Sequence, residues 1–166
     1  LLPILVSETA KVGLIGQGDA LGRRAALLVE AGVKPVLLAN DAEDAELAGL
    51  RLLFVAGLAD ELALPLAARA RALGVLVNVE DVPSACDFHV PAIVRRGDMV
   101  LTASTGGRAP GLARHLREIL ERQFGPEWSG RLDDISDARA HWRADGLPPH
   151  EVSRLTRELI AEKGWA

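Results

Sequence analysis

The chain has 166 residues, 49% of them hydrophobic, with one cysteine and a formal net charge of −4. That length fits a domain of ordinary size with enough apolar residues for a core. A single cysteine excludes an intrachain disulfide and fits a reducing compartment. The acidic balance argues against nucleic acid as the main partner. No apolar run approaches the length of a membrane span and no basic-then-apolar leader opens the chain, so a cytoplasmic protein is expected.

Lys11-Val12-Gly13-Leu14-Ile15 is a short apolar run that stops at glycine, as a buried parallel strand does. Over residues 20–30, Leu21, Ala25, Leu28 and Val29 recur at helical spacing, and Ala31-Gly32 closes the helix. Residues 35–39 read as a second strand, followed by an acidic, Ala-rich segment over 41–48. A third strand is predicted at 51–56 and a helix at 60–73, with Pro65 either in its first turn or at a kink. Residues 75–79 make a fourth strand and 98–103 another. This alternation predicts an α/β, Rossmann-like parallel sheet, because parallel strands need crossover helices.

From Pro110 the pattern turns helical, over 112–124, 128–142 and 151–162, with breaks at Gly125-Pro126 and Gly146-Leu147-Pro148-Pro149. The expected division is a nucleotide-binding domain over 1–110 and a helical region over 111–166. The tail after Gly125, roughly 40 residues, is too short for an independent core, so it is expected to pack on the first domain or on a second copy of itself. Trp128, Trp142 and Trp165 fit such hydrophobic contacts.

Three places carry chemistry. Gly16-Gln17-Gly18 follows a strand and opens a helix, the context in which pyrophosphate approaches helix N-terminal amides. The third glycine of the usual fingerprint is replaced by Leu21, and a plain tight turn is the alternative. Asp41, with Asn40 beside it, stands where a ribose-binding acid belongs after a second strand, or else caps a helix. Asp81, preceded by Glu80, follows the fourth strand at the edge where open α/β sheets bind ligands. A carboxylate there can accept a proton or hold a metal; equally, it can initiate the turn before Pro83. Ser104-Thr105-Gly106-Gly107 ends a strand, and its hydroxyls and amides suit an anion, with Arg95, Arg96, Arg108 and Arg114 on either side. A solvated charged loop is the competing account. His89 lies in the loop after Asp81, whereas His115, His141 and His150 show no ligand spacing. Cys86 reads as a buried apolar thiol.

In order, Ile15-Gly16-Gln17-Gly18-Asp19-Ala20, Val77-Asn78-Val79-Glu80-Asp81, Phe88-His89-Val90-Pro91-Ala92-Ile93 and Ser104-Thr105-Gly106-Gly107 through Leu112-Ala113-Arg114 resemble the precorrin-2 dehydrogenase/sirohydrochlorin ferrochelatase module of siroheme synthase. The resemblance implies hydride transfer from precorrin-2 to NAD, giving sirohydrochlorin, and then insertion of Fe²⁺ as the chelatase substrate. It implies Asp81 as the catalytic proton acceptor. It places NAD on Gly16, Gln17, Gly18, Asp19, Ala20, Asn40 and Asp41. It places the tetrapyrrole on Asn78, His89, Ser104, Thr105, Gly106 and Gly107. It also implies a homodimer through the C-terminal helices. The chain departs from the family pattern at Gln17, at Gly57-Leu58, and in a short segment between Asp41 and Leu52 that leaves no room for an outer strand.

Overall fold

A computed structural model gives the fold and describes residues 6–7 and 9–165, so that residues 1 and 166, the outer ends of the two expected domains, lie outside it. The chain forms two compact units, Leu1–Val90 and Pro91–Ala166.

The first unit is a Rossmann-like α/β layer. Strands β1 (Val12–Gly16), β2 (Val36–Leu37), β3 (Leu52–Ala56) and β4 (Leu76–Val79) are all parallel, in the order β2-β1-β3-β4. Helices α1 (Gly18–Glu30), α2 (Asp44–Leu47) and α3 (Asp60–Ala72) make the crossovers. Side chains alternate across β1 and β3, so both faces are buried. Ile15, Leu53, Val55, Val77 and Val79 pack with Ala63, Leu66, Ala67 and Ala70 of α3. Val12, Leu14, Leu52 and Phe54 pack with Leu28 of α1. The chain steps from β1 to β2 on one side, then returns past β1 to β3. That reversal opens a crevice at the carboxyl ends of β1 and β3, where open sheets bind ligands. Among the described residues no strand lies beyond β2, in keeping with the short segment after Asp41.

Two details differ from the sequence reading. Helix α3 runs through Pro65, which sits in its second turn and not its first. The strand expected at 98–103 does not join the parallel sheet. It is β6 (Met99–Ala103), paired antiparallel with β5 (Ala92–Arg96), a strand the sequence did not reveal. Gly97, at φ +57, takes the first of the two loop positions, where this class of hairpin asks for glycine. The hairpin packs against helix α4 (Pro110–Gln123), so the division between units falls at 90/91, whereas the expected one was at 110/111.

The second unit is completed by α5 (Trp128–Ala144) and α6 (Pro149–Glu162). Pro110 and Pro149 open their helices at a position whose N–H has no helical partner to lose. Phe124 packs on Trp128 at 5.1 Å, and the Arg131 guanidinium lies over both Trp128 and Trp165. Among the described residues, the buried apolar side chains of this unit are only Val94, Ala103 and Val152. No helix among them is long and apolar enough to cross a membrane.

Candidate functional site

The glycine turn lies on the crevice between β1 and β3. The Gln17 N–H donates to the Ala56 carbonyl at 3.1 Å, which locks the β1–α1 turn onto the end of β3. The approach is so close that a Cβ on Gly16 would overlap that carbonyl oxygen, and one on Gly57 would run into the Gln17 carbonyl. Gly57 also has φ +69, a conformation open to glycine at little cost. Gly18, at φ +60, faces open space, since a Cβ there would meet no heavy atom within 4 Å. The N–H groups of Gly18, Asp19 and Ala20 belong to the first turn of α1 and have no intrahelical acceptor. Free amides, a positive helix end and room beside Gly18 fit the pyrophosphate of a dinucleotide. Gln17 is exposed and its side chain makes no capping bond.

Asn40 and Asp41 lie exposed just past β2, in a turn closed by the Ala42 N–H on the Ala39 carbonyl at 3.1 Å. The helix-cap alternative for Asp41 does not hold. The N-cap of α2 is Glu43, whose own N–H donates to the Glu46 carboxylate at 2.9 Å. Arg69 fixes this corner through the Asp44 carboxylate and the Ala42 carbonyl.

Asp81 is exposed and, among the described residues, is the one non-glycine with positive φ, at +61. The left-handed region costs an ordinary L-residue about 1–2 kcal/mol, and Asp and Asn tolerate it best. It is the third residue of a turn closed by the Val82 N–H on the Val79 carbonyl at 3.3 Å. Glu80 before it is tied down, because its N–H donates to the Val55 carbonyl at 2.9 Å. Its carboxylate sits 3.8 Å from Arg24, which lies over the Phe54 ring, and 3.9 Å from Arg23. An acid in this conformation at the carboxyl edge makes Asp81 a candidate for function.

The loop beyond Asp81 folds back along the outer edge of β4 and satisfies its free backbone groups, the usual remedy for an open edge. The Asp87 carboxylate accepts the Val77 N–H at 2.8 Å and both contacts from Arg71 Nε at 2.9 Å. The Asp87 N–H donates to the Val77 carbonyl at 2.8 Å. Cys86 is half-buried and polar in its contacts, not the apolar thiol of the sequence reading. Its Sγ accepts the Val79 N–H and lies within donating distance of the Val79 and Val82 carbonyls. Asn78 is 7% exposed, and its amide donates to the Phe88 carbonyl at 2.9 Å and toward Cys86 Sγ. That residue works inside the protein. His89 is exposed.

In the second unit, the turn at Ser104-Thr105-Gly106-Gly107 owes its shape to two successive positive-φ glycines, at +61 and +77. Thr105 Oγ1 donates to the Ala109 carbonyl at 3.1 Å and accepts the Ala109 N–H at 3.2 Å, so it braces the start of α4. Ser104 Oγ accepts the Gly106 N–H. Arg96 is committed to carbonyls at the end of α4, and Arg114 to Glu118. Among the described residues Arg95 and Arg108 form no ion pair. No three His, Cys, Asp or Glu side chains among them group as metal ligands.

Sequence reasoning overlooked Arg24, Arg71 and Asp87, and it noted Gly57 only as a departure from the family pattern. Gly57 carried the same signal as Gly16, an apolar strand ending on glycine. The other three are charged residues whose partners lie far along the chain, and no local pattern marks them.

The family model described as "Putative NAD(P)-binding" matches residues 4–92. A siroheme synthase of Pseudomonas aeruginosa (strain UCBPP-PA14) is 30% identical over 180 residues, which is 96% of this chain and 38% of the relative. One from Pseudomonas putida is 38% identical over 161 residues, 97% of this chain and 32% of the relative. Siroheme synthase 2 of Aeromonas salmonicida is 35% identical over 190 residues, 95% and 38% respectively. The chain thus spans under two-fifths of the length of these relatives. Among solved structures, SirC, a precorrin-2 dehydrogenase, shares the fold with a TM-score of 0.73 at 16% identity, over 96% of this chain and 89% of that one.

Proposed function

This chain belongs to the NAD(P)-binding family that residues 4–92 match, and from that premise we propose that it oxidises precorrin-2 to sirohydrochlorin with NAD, Asp81 taking the proton. The observation that carries the reading is Asp81 itself, an exposed acid in a left-handed conformation at the carboxyl end of the last parallel strand. When bound, NAD provides the hydride acceptor. The amides of Gly18, Asp19 and Ala20 would hold its pyrophosphate, with Gly16 and Gln17 forming the turn beneath them. Asn40 and Asp41 would accept hydrogen bonds from its ribose hydroxyls. One substrate C–H bond breaks with its electron pair leaving as hydride. The adjacent proton passes to the Asp81 carboxylate, leaving a new double bond in the ring system. In the first unit, exposed His89 offers a donor suited to a substrate carboxylate. In the second unit taken by itself, the Ser104 hydroxyl and the Gly107 amide are donors suited to an anion, while Thr105 and Gly106 shape that turn.

The same carboxylate is suited to taking pyrrole N–H protons as Fe²⁺ enters sirohydrochlorin, so chelatase activity forms part of the reading. A homodimer through the C-terminal helices is supported by the second unit's own surface. Leu112 and Leu116 are one turn apart on α4 and exposed, while few side chains of that unit are buried. The test is anaerobic incubation with precorrin-2, following sirohydrochlorin absorbance with NAD, without NAD, and with Fe²⁺ added afterwards. NAD-dependent appearance of sirohydrochlorin is expected. No NAD dependence, with accelerated Fe²⁺ insertion, would reduce the function to the chelatase step. Neither activity would leave a binding module.

A further inference from the structure

The third position of a tight turn takes either sign of φ, negative in type I and positive in type II, so the four-residue turn by itself does not fix Asp81 at positive φ. What surrounds it is a set of tethers on both sides. Upstream, the Val79 N–H is bound to Cys86 Sγ at 3.3 Å and the Glu80 N–H to Val55. Downstream, the Val82 carbonyl lies 3.3 Å from the same sulfur, and the Ala85 and Cys86 N–H groups close the short 3-10 turn Pro83–Ala85 behind it. One atom, Cys86 Sγ, therefore touches the residues two before and one after Asp81. Asn78 fixes that atom from within the strand, with its amide 3.5 Å from the sulfur and 2.9 Å from the Phe88 carbonyl.

We infer that Cys86 and Asn78 are positioning residues for Asp81: they pin both ends of its turn to the edge of β4 and so keep its carboxylate in one place. Neither contacts substrate in this role. The inference rests on the assignment of Asp81 as proton acceptor and deepens it. Loss of the sulfur leaves the Val79 N–H without its acceptor and the Val82 carbonyl with the Ala85 N–H alone, and the turn can relax to negative φ. A displaced base still sees the bound cofactor but meets the substrate proton less often.

The test uses the full chain with Cys86→Ala, Cys86→Ser, Asn78→Ala and Asp81→Asn, read by turnover and by amide hydrogen exchange. In Cys86→Ala, exchange at Val79 and Val82 is expected to quicken about tenfold or more, with the amides of β1 and β3 unchanged. Its kcat is expected to fall about tenfold while KM for NAD stays within about twofold. Asn78→Ala should move in the same direction. Cys86→Ser, whose hydroxyl donates and accepts as the thiol does, should recover most of both losses. Unchanged exchange at Val79 and Val82 overturns the inference whatever the turnover. So does an undiminished kcat in Cys86→Ala when Asp81→Asn is inactive. An active Asp81→Asn instead removes the proton-acceptor assignment, and hydrogen exchange still decides whether Cys86 holds the turn.

Discussion

Gly16 and Ala56 meet backbone to backbone: the space a Cβ on Gly16 would need is filled by the Ala56 carbonyl oxygen, which also accepts the Gln17 N–H. The carboxyl ends of β1 and β3 are therefore joined at the point where the nucleotide turn begins. Gly57, on the other side of the same contact, is closed to side chains for the same reason and by its positive φ.

Gly16→Ala should force β1 and β3 apart at this end. Overpacking against backbone costs about 1–3 kcal/mol and leaves no flexible neighbour to yield. The expected result is a lower Tm together with loss of NAD binding, read by thermal denaturation and by cofactor fluorescence. Gly18→Ala, where the space is open, should lose less stability, its cost coming only from φ. Equal losses at the two glycines would contradict the close contact.

Substitutions at Asp81 should separate backbone from chemistry. Asp81→Asn keeps a residue that tolerates left-handed backbone, so Tm should hold while precorrin-2 oxidation stops. Asp81→Ala should be inactive and less stable by about 1 kcal/mol. Asp81→Gly should be inactive but at least as stable as Asp81→Asn. Thermal unfolding and turnover on the same preparations check the pattern, and unchanged oxidation in Asp81→Asn would remove the base from the mechanism.

Asp87→Ala strips the acceptor from both the Val77 N–H and Arg71, at the free edge of the sheet. A buried donor left unpaired costs about 1–3 kcal/mol. Chemical denaturation should show a loss in that range with m unchanged, and a loss below about 0.5 kcal/mol would mean that the edge is held elsewhere.

NAD should be preferred to NADP. Between Leu38 and Leu47 the chain carries Asp41, Glu43, Asp44 and Glu46 and no Lys or Arg. The guanidinium that reaches this corner, Arg69, is already bound to Asp44 and the Ala42 carbonyl. Among the described residues, a 2′-phosphate brought to this corner meets carboxylates and a guanidinium already paired, so KM for NADP should exceed that for NAD at least about tenfold. Equal KM values would remove Asp41 from the ribose site.

Leu116→Glu, alone or with Leu112→Glu, places charge on the exposed apolar face of α4. If that face is the dimer seam, sedimentation equilibrium should report a monomer where the wild-type chain is a dimer. Helical content should be retained in the variant. A dimer that survives both substitutions would move the seam elsewhere.

The strands and helices of the first unit could be read almost in full from periodicity, because β1, β3 and β4 are buried and end at glycine or at a turn. The 92–96 strand could not, since Arg95 and Arg96 break its apolar pattern and its pairing is with β6 alone. The same limit applied to the candidate site. Gly16, Asp41 and Asp81 stand at ends of strands and could be singled out by place. Asn78 could be singled out too, but not the direction of its amide, which turns inward to the Phe88 carbonyl.

By itself, the sequence determined which segments of the first unit alternate, that their strands run parallel, and which residues fall at the carboxyl edge. These follow from local spacing of apolar residues and from where glycine ends a run. Only the tertiary structure decided that Gly57 closes against Gln17, that Asp87 and Cys86 seal the edge of β4, and that Asp81 sits at positive φ. Each of those depends on hydrogen bonds or contacts between residues brought together by the fold, and a pattern along the chain does not encode them.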